Sequence, residues 1–191
     1  MSKELKNTLV ITAFALVSGL ALGAVHQVTA GPIAAQKQQA LNEAYSAVIS
    51  EAANFTDKAI EPYDDADHNA QVASVLSAED ASGTNVGYVV NVVSHGGYGG
   101  DIGFSVGIKN DGTIENISIT SISETPGLGM KAQTEPDFVG QFLGQSVDND
   151  YVLGENVTAI TSATFTSRCM TNGINAALKY YTNNLAGGTQ S

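Results

Sequence analysis

From Leu9 to Val25 seventeen residues run without a charged side chain, and the stretch free of Lys, Arg, Asp and Glu extends from Thr8 to Ala30. A helix needs about 20 residues to cross a bilayer core, so this pattern predicts a transmembrane helix over residues 8–30. Thr12, Ser18, Gly19 and Gly23 are compatible with it, because hydroxyls bond the preceding turn and glycine is common in membrane helices. Val28-Thr29-Ala30 has the small-residue form of a peptidase site, and a cleaved signal peptide is the competing reading. The apolar run exceeds the signal-peptide core of about 7–15 residues, which favours a retained anchor.

Beyond Gly31-Pro32 the apolar positions Leu41, Tyr45, Val48, Ile49 and Ala52 follow helical spacing and predict an amphipathic helix from Ala35 to Ala53. Thr56 to Asn69 is polar, carries Pro62 and reads as a loop. Gly87 to Ser94 is rich in β-branched residues, whereas Ile102, Phe104, Val106 and Ile108 alternate strictly, so both predict strands. Asn110-Asp111-Gly112 is a hairpin turn signal before a third strand through Ile114, Ile117 and Ile119. Pro136 to Leu143 predicts a short helix, Asn156 to Thr161 a further strand, and Met170, Ile174, Ala177, Leu178 and Tyr181 a helix over Ser167–Tyr181. The expected fold class is α+β: an antiparallel sheet of at least three strands with helices packed on it, behind the N-terminal span. The expected boundaries are a cytoplasmic N-terminus at 1–7, the span at 8–30, a connecting helix at 31–55, an extracytoplasmic domain at 56–185 and a tail at 186–191.

Composition narrows the chemistry. Of 191 residues eight are Lys or Arg and 19 are Asp or Glu, a net charge of -11, which repels phosphate backbones and makes nucleic acid an unsuitable partner. Lys3 and Lys6 precede the span while only Lys37 follows it closely, so the positive-inside bias puts the N-terminus in the cytoplasm. A single cysteine, Cys169, excludes an internal disulfide or a thiolate metal cluster built by this chain alone, and it reads as a small packed residue. Asp65, Asp67 and Asn69 copy the first liganding positions of a calcium loop, but Ala70 and Leu76 stand where the glycine and bidentate glutamate belong, which favours a solvated acidic loop. His95 reads as a loop histidine with the alternative of reaching a ligand at the adjacent glycines.

Three loops carry candidate chemistry. Thr161-Ser162-Ala163-Thr164-Phe165-Thr166-Ser167 lies between a predicted strand and the last helix, and five of its seven residues bear a hydroxyl. Such residues cap helix starts, and the same free N–H groups and helix dipole favour a phosphate, so both readings stand on local chemistry. In Ser123-Glu124-Thr125-Pro126-Gly127-Leu128-Gly129-Met130, Pro126-Gly127 sets a tight turn and Gly129 permits close backbone approach. Gly96-Gly97-Tyr98-Gly99-Gly100 is by itself a flexible loop with a protruding tyrosine.

Val157 to Thr164 is similar to the flavinylation motif of the exported FMN-binding domains in the G subunit of the Rnf complex and the C subunit of the sodium-pumping NADH:quinone reductase. Glu124-Thr125-Pro126-Gly127-Leu128-Gly129 and the glycine-bracketed Tyr98 resemble the same family, in the same order over Val89 to Ala177. The short domain looks more like the Rnf subunit. The resemblance implies FMN esterified through its phosphate to Thr164, with Thr161, Ser162 and Ala163 forming the motif. It implies Glu124, Thr125, Gly127, Leu128, Gly129, Tyr98 and Gly99 as further cofactor-binding residues, with Leu128 an apolar platform under the isoalloxazine. The sequence departs from the family pattern at Thr158, where aspartate is usual, and at Ser162, where glycine is usual.

On this resemblance the chain is an electron-carrying subunit, not the site that reacts with ferredoxin or NAD, in a membrane complex coupling that electron transfer to sodium or proton translocation. It implies no catalytic residue and no metal here. Its partners would be the other subunits, a flavin transferase during maturation, and the bilayer through residues 8–30. Two alternatives remain open: a free-standing extracytoplasmic FMN domain of another reductase, and an anchored scaffold in which Thr161–Ser167 only caps a helix.

Overall fold

The computed structural model describes residues 45–60 and 62–186, together with positions 3, 7, 11–16, 18–20, 23, 29 and 31. Contacts divide the chain into two units, residues 1–41 and 42–191. In the first, positions 11–16 and 18–20 are helical. Much of the expected span at 8–30 lies outside the described residues, and among the described ones no helix is long and apolar enough to cross a membrane.

The second unit is built on six antiparallel strands: β1 (Asn54–Lys58), β2 (Tyr63–Asp65), β3 (Ala70–Glu79), β4 (Asn85–Ser94), β5 (Ile102–Lys109) and β6 (Ile114–Ser121). Their order is β1-β3-β4-β5-β6, with β2 pairing the start of β3 on the edge that β1 covers further along. Three helices follow, α1 (Lys131–Thr134), α2 (Pro136–Gly140) and α3 (Thr164–Asn184). The α+β class and the antiparallel sheet expected from the sequence are therefore present.

The period-two pattern of β5 does what it predicts. Ile102, Phe104, Val106 and Ile108 are all buried on one face, opposite Ser94, Val92, Val90 and Tyr88 of β4. That face receives α3, whose Cys169, Met170, Ile174, Ala177, Leu178 and Tyr181 are buried against it. The other face is covered by residues 45–49. Asn91 there donates to Tyr45 Oη at 3.2 Å and Ser74 Oγ at 2.9 Å, and accepts from Ser105 Oγ at 2.6 Å. This ladder ties three strands and the segment above them through a half-buried amide whose polar atoms are partnered.

Several expectations need correction. The amphipathic helix does not run to Ala53: residues 45–48 are helical, Ile49 is not, and the segment before 45 lies outside the described residues. The segment lies directly on the sheet there, since a Cβ at residue 107 would collide with the Val48 carbonyl. The loop expected over Thr56–Asn69 contains β2 and most of β1, because a polar, largely exposed strand serves at a sheet edge where charge is an advantage. The sequence pattern does not mark β3: a register shift between Val72 and Ser74 interrupts its alternation, so its buried positions show no clean period of two. The strand expected over Asn156–Thr161 does not form. Thr158 instead donates its N–H to Gln141 Oε1 at 2.8 Å and accepts from Gln141 Nε2 at 3.1 Å, so a side-chain amide replaces the neighbouring strand. The short helix expected over Pro136–Leu143 ends at Gly140, and the last helix is longer than Ser167–Tyr181.

The acidic loop also changes meaning. Asp65 and Asp67 share a cation, but it is the ammonium of Lys179 on α3, at 3.1 and 3.0 Å, with His68 Nδ1 at 2.8 Å from the other Asp65 oxygen. Burial opposes ionisation of Asp65, yet His68 and Lys179 outweigh it and hold the carboxyl below its usual range. Asn69 of the same loop sits at φ 50° and donates to the His95 carbonyl.

Two outcomes follow from this packing. Gly173 lies so close to the sheet that a Cβ there would be 2.6 Å from Phe104 Cζ and 2.8 Å from Ser94 Cβ. Gly173→Ala is expected to destabilise the domain by about 1–3 kcal/mol in urea unfolding, against the helix propensity of alanine. The depressed Asp65 contributes stability that is present above the ordinary carboxylate range of about 4 and is lost as the pH falls through its lower folded value. Acid titration of unfolding free energy should show that loss in the wild type and a smaller one in Lys179→Met.

Candidate functional site

α3 begins at Thr164 with Ala163 as its N-cap, and no side chain caps it. The hydroxyl cluster therefore does not serve as the ordinary cap that local chemistry allowed. The first N–H groups of a helix have no partner inside it, so 21 residues of helix present an uncapped, positively polarised end beside the exposed Thr164 hydroxyl. Ser167 holds the approach: it accepts from the Ile160 N–H at 2.9 Å and donates to the Ala163 carbonyl at 2.9 Å. Between them Ser162 takes φ 63°, the left-handed region that favours glycine. The usual glycine of the family pattern thus has a conformational reason, and the serine here bears the strain.

The Glu124 loop meets this end of α3. Leu128 and Met130 both donate their N–H groups to the Thr125 carbonyl, closing a turn with Gly127 at φ 75°. Gly129 is buried against α3: a Cβ there would lie 2.5 Å from Thr166 Oγ1 and 2.8 Å from Glu124 Oε2. On the opposite side, a Cβ at Gly97 would lie 2.6 Å from Glu124 Oε1, and one at Gly99 would collide with the Ser123 carbonyl. The bracketing glycines thus let the Tyr98 loop lie flat on the Glu124 loop, with the Tyr98 ring 75% exposed above it.

These three segments enclose a cleft of about 220 Å³ lined by Tyr98, Glu124, Thr125, Leu128, Gly129 and residues 162–166. Ser162, Ala163 and Thr164 line it as the sequence expected. Thr161 does not: it borders a neighbouring cleft of about 340 Å³ with Thr158, Gln141, Lys131 and Glu135. Gly127 and Gly99 shape the loops without lining the cleft. Phe165 and Thr166 line it and were not anticipated. Phe165 is 59% exposed at the mouth, beside Leu128 at 40%, and a large apolar residue left in water next to a helix start is the signal that could have marked it.

The bystanders sort themselves. His95 pairs with Asp101 at 3.0 Å and is not among the lining residues. Cys169 is buried, exchanging bonds with Ser94 through its carbonyl and thiol. Burial, with lesser contributions from the Glu124 and Asp101 charges, pushes its thiol up, which makes it unreactive.

A cleft with an apolar rim, a polar floor and an uncapped helix end fits a planar heterocycle carrying a phosphate. A model of the FMN-binding domain matches residues 97–179, and a model of the RnfG N-terminal region matches residues 1–48. The chain is similar to the G subunit of the Na(+)-translocating ferredoxin:NAD(+) oxidoreductase complex of Acetobacterium woodii, 31% identical with 93% of this chain and 91% of that protein covered. It is 32% identical to the G subunit of the proton-translocating ferredoxin:NAD(+) oxidoreductase complex of Clostridium ljungdahlii, with 92% and 89% covered. The crystal structure of Shewanella oneidensis NqrC aligns with 68% of this chain and 67% of that one, at TM-score 0.47 and 21% identity.

The strained serine gives a direct check. Ser162→Gly removes the left-handed penalty, and the full chain in detergent is expected to gain about 1 kcal/mol in urea unfolding, whereas Ser162→Val should lose stability.

Proposed function

The chain belongs to the family of G subunits of ion-translocating ferredoxin:NAD oxidoreductase complexes, with an FMN-binding domain, and we propose that it carries electrons through an FMN bound covalently to Thr164. It is a subunit of a membrane-bound complex. The finer reading adds that residues 8–30 anchor the chain, that the domain faces the extracytoplasmic side, and that a flavin transferase loads it.

One observation carries the attachment: the exposed Thr164 hydroxyl stands at the start of α3, which no side chain caps, and in the cleft formed by the Tyr98 and Glu124 loops. A phosphate esterified there would remain next to the free N–H groups and the positive end of the helix dipole. Leu128, Phe165 and Tyr98 supply apolar surface for a flat ring, and the turn at Thr125–Leu128 holds Leu128 at the mouth. FMN supplies the electron chemistry when bound, while the chain supplies attachment, orientation and an environment that sets its potential. A covalent bond keeps such a group in place in either oxidation state, which suits a relay between partners.

Neither departure from the family pattern removes the acceptor. Thr158 keeps its backbone bonded to Gln141, and Ser162 adopts the turn that glycine would. Sodium and proton translocation each appear among the relatives named above, and both are compatible with this subunit.

The test is ultraviolet fluorescence of the full-length protein after denaturing electrophoresis, from cells that also make the flavin transferase. The wild type is expected to give a fluorescent band and Thr164→Ala a dark one. A dark wild-type band beside a fluorescent control protein would rule out the covalent reading and favour a scaffold role.

A further inference from the structure

Glu124 is 6% exposed, yet no described residue donates a hydrogen bond to its carboxylate, and its Oε1 is sealed without a partner. Burying an unpaired carboxylate is costly, and a group that stays orphaned in a folded domain calls for a partner that the protein itself does not supply. Its surroundings have been cleared for it. Gly97 and Gly129 press on its two oxygens so closely that a Cβ at either would lie 2.6 or 2.8 Å away. Thr166, 1% exposed, brings its hydroxyl to the same point beside Gly129, and that hydroxyl also has no partner among the described residues. Both residues line the cleft.

The floor of the cleft therefore offers a strong acceptor beside a hydroxyl that can donate. That pair complements an N–H next to a carbonyl, the pattern of a cyclic imide, which the isoalloxazine of FMN carries on its pyrimidine edge. We propose that Glu124 accepts from the imide N–H through Oε2, the oxygen beside Gly129 and Thr166, and that Thr166 donates to the adjacent carbonyl, so that these two residues position the ring and set its potential. The inference rests on the FMN reading above and assigns a function to each residue within it. The carboxylate charge facing the ring opposes the arrival of an electron, whereas the hydroxyl stabilises the electron density that reaches the carbonyl. The two residues therefore push the potential in opposite directions.

The experiment is a spectroelectrochemical titration of the full-length flavinylated protein, with in-gel fluorescence as the measure of loading. Glu124→Gln keeps the shape and removes the charge. It is expected to stay fluorescent and to raise the reduced-to-oxidised ratio about tenfold at a fixed applied potential. Thr166→Val should lower that ratio about threefold. A fully loaded Glu124→Gln protein with an unchanged ratio would overturn the inference and leave Glu124 as a spacer between loops, with covalent FMN intact. If Glu124→Gln does not accumulate, Thr166→Val decides: a loaded protein whose ratio is unchanged or raised overturns the inference. A dark wild type is a separate result, removing the covalent reading and this one with it.

Discussion

The contact of α3 with β4 and β5 at Gly173 is the constraint on which the cleft depends. With no side chain at that position, the helix lies against Phe104 and Ser94, and Cys169 exchanges two bonds with Ser94 one turn earlier. β4 ends at Ser94, where the Tyr98 loop begins, so the same seam that fixes the helix also fixes the loop relative to it. From there to the first turn of α3 the geometry leaves little freedom. Thr164 and Thr166 arrive beside the Glu124 loop because the helix cannot slide along the sheet without driving Phe104 into its backbone.

Much of this was legible in the residues because local pattern and packing agree there. β4, β5 and β6 alternate or run β-branched, and the turn between β5 and β6 is an Asp-Gly, so period and chemistry point the same way. The first half of the domain was not legible. β1 is too polar to stand out, and β3 hides its period behind a bulge. At Thr158 a run with strand character lacks a strand partner because Gln141, seventeen residues away, satisfies it first. No window on the sequence contains that information.

The site was legible as three loops but not as one cleft. Hydroxyl and glycine content marked Thr161–Ser167, Glu124–Gly129 and Gly96–Gly100, and the fold brings them together around Thr164. What could not be read was the division of labour within them. Thr161 borders the neighbouring cleft, Gly99 and Gly127 shape backbone, and Thr166, two residues past the expected attachment point, reaches the floor. The calcium-like spacing of Asp65, Asp67 and Asn69 likewise carried real electrostatic content, but the cation it gathers belongs to α3.

The amide clamp of Gln141 on Thr158 bears on when the proposed attachment at Thr164 could take place. A motif preceded by a paired strand could be drawn into another enzyme's active site only by peeling an edge off the sheet. Here the stretch before Thr164 is held by side-chain hydrogen bonds, two between Gln141 and Thr158 and one that Ser167 Oγ accepts from the Ile160 N–H, each worth about 1 kcal/mol. Releasing them leaves all six strands paired. The proposed loading of Thr164 can therefore act on a domain whose sheet is already formed, so that on that reading folding and cofactor loading need not compete for the same nascent chain.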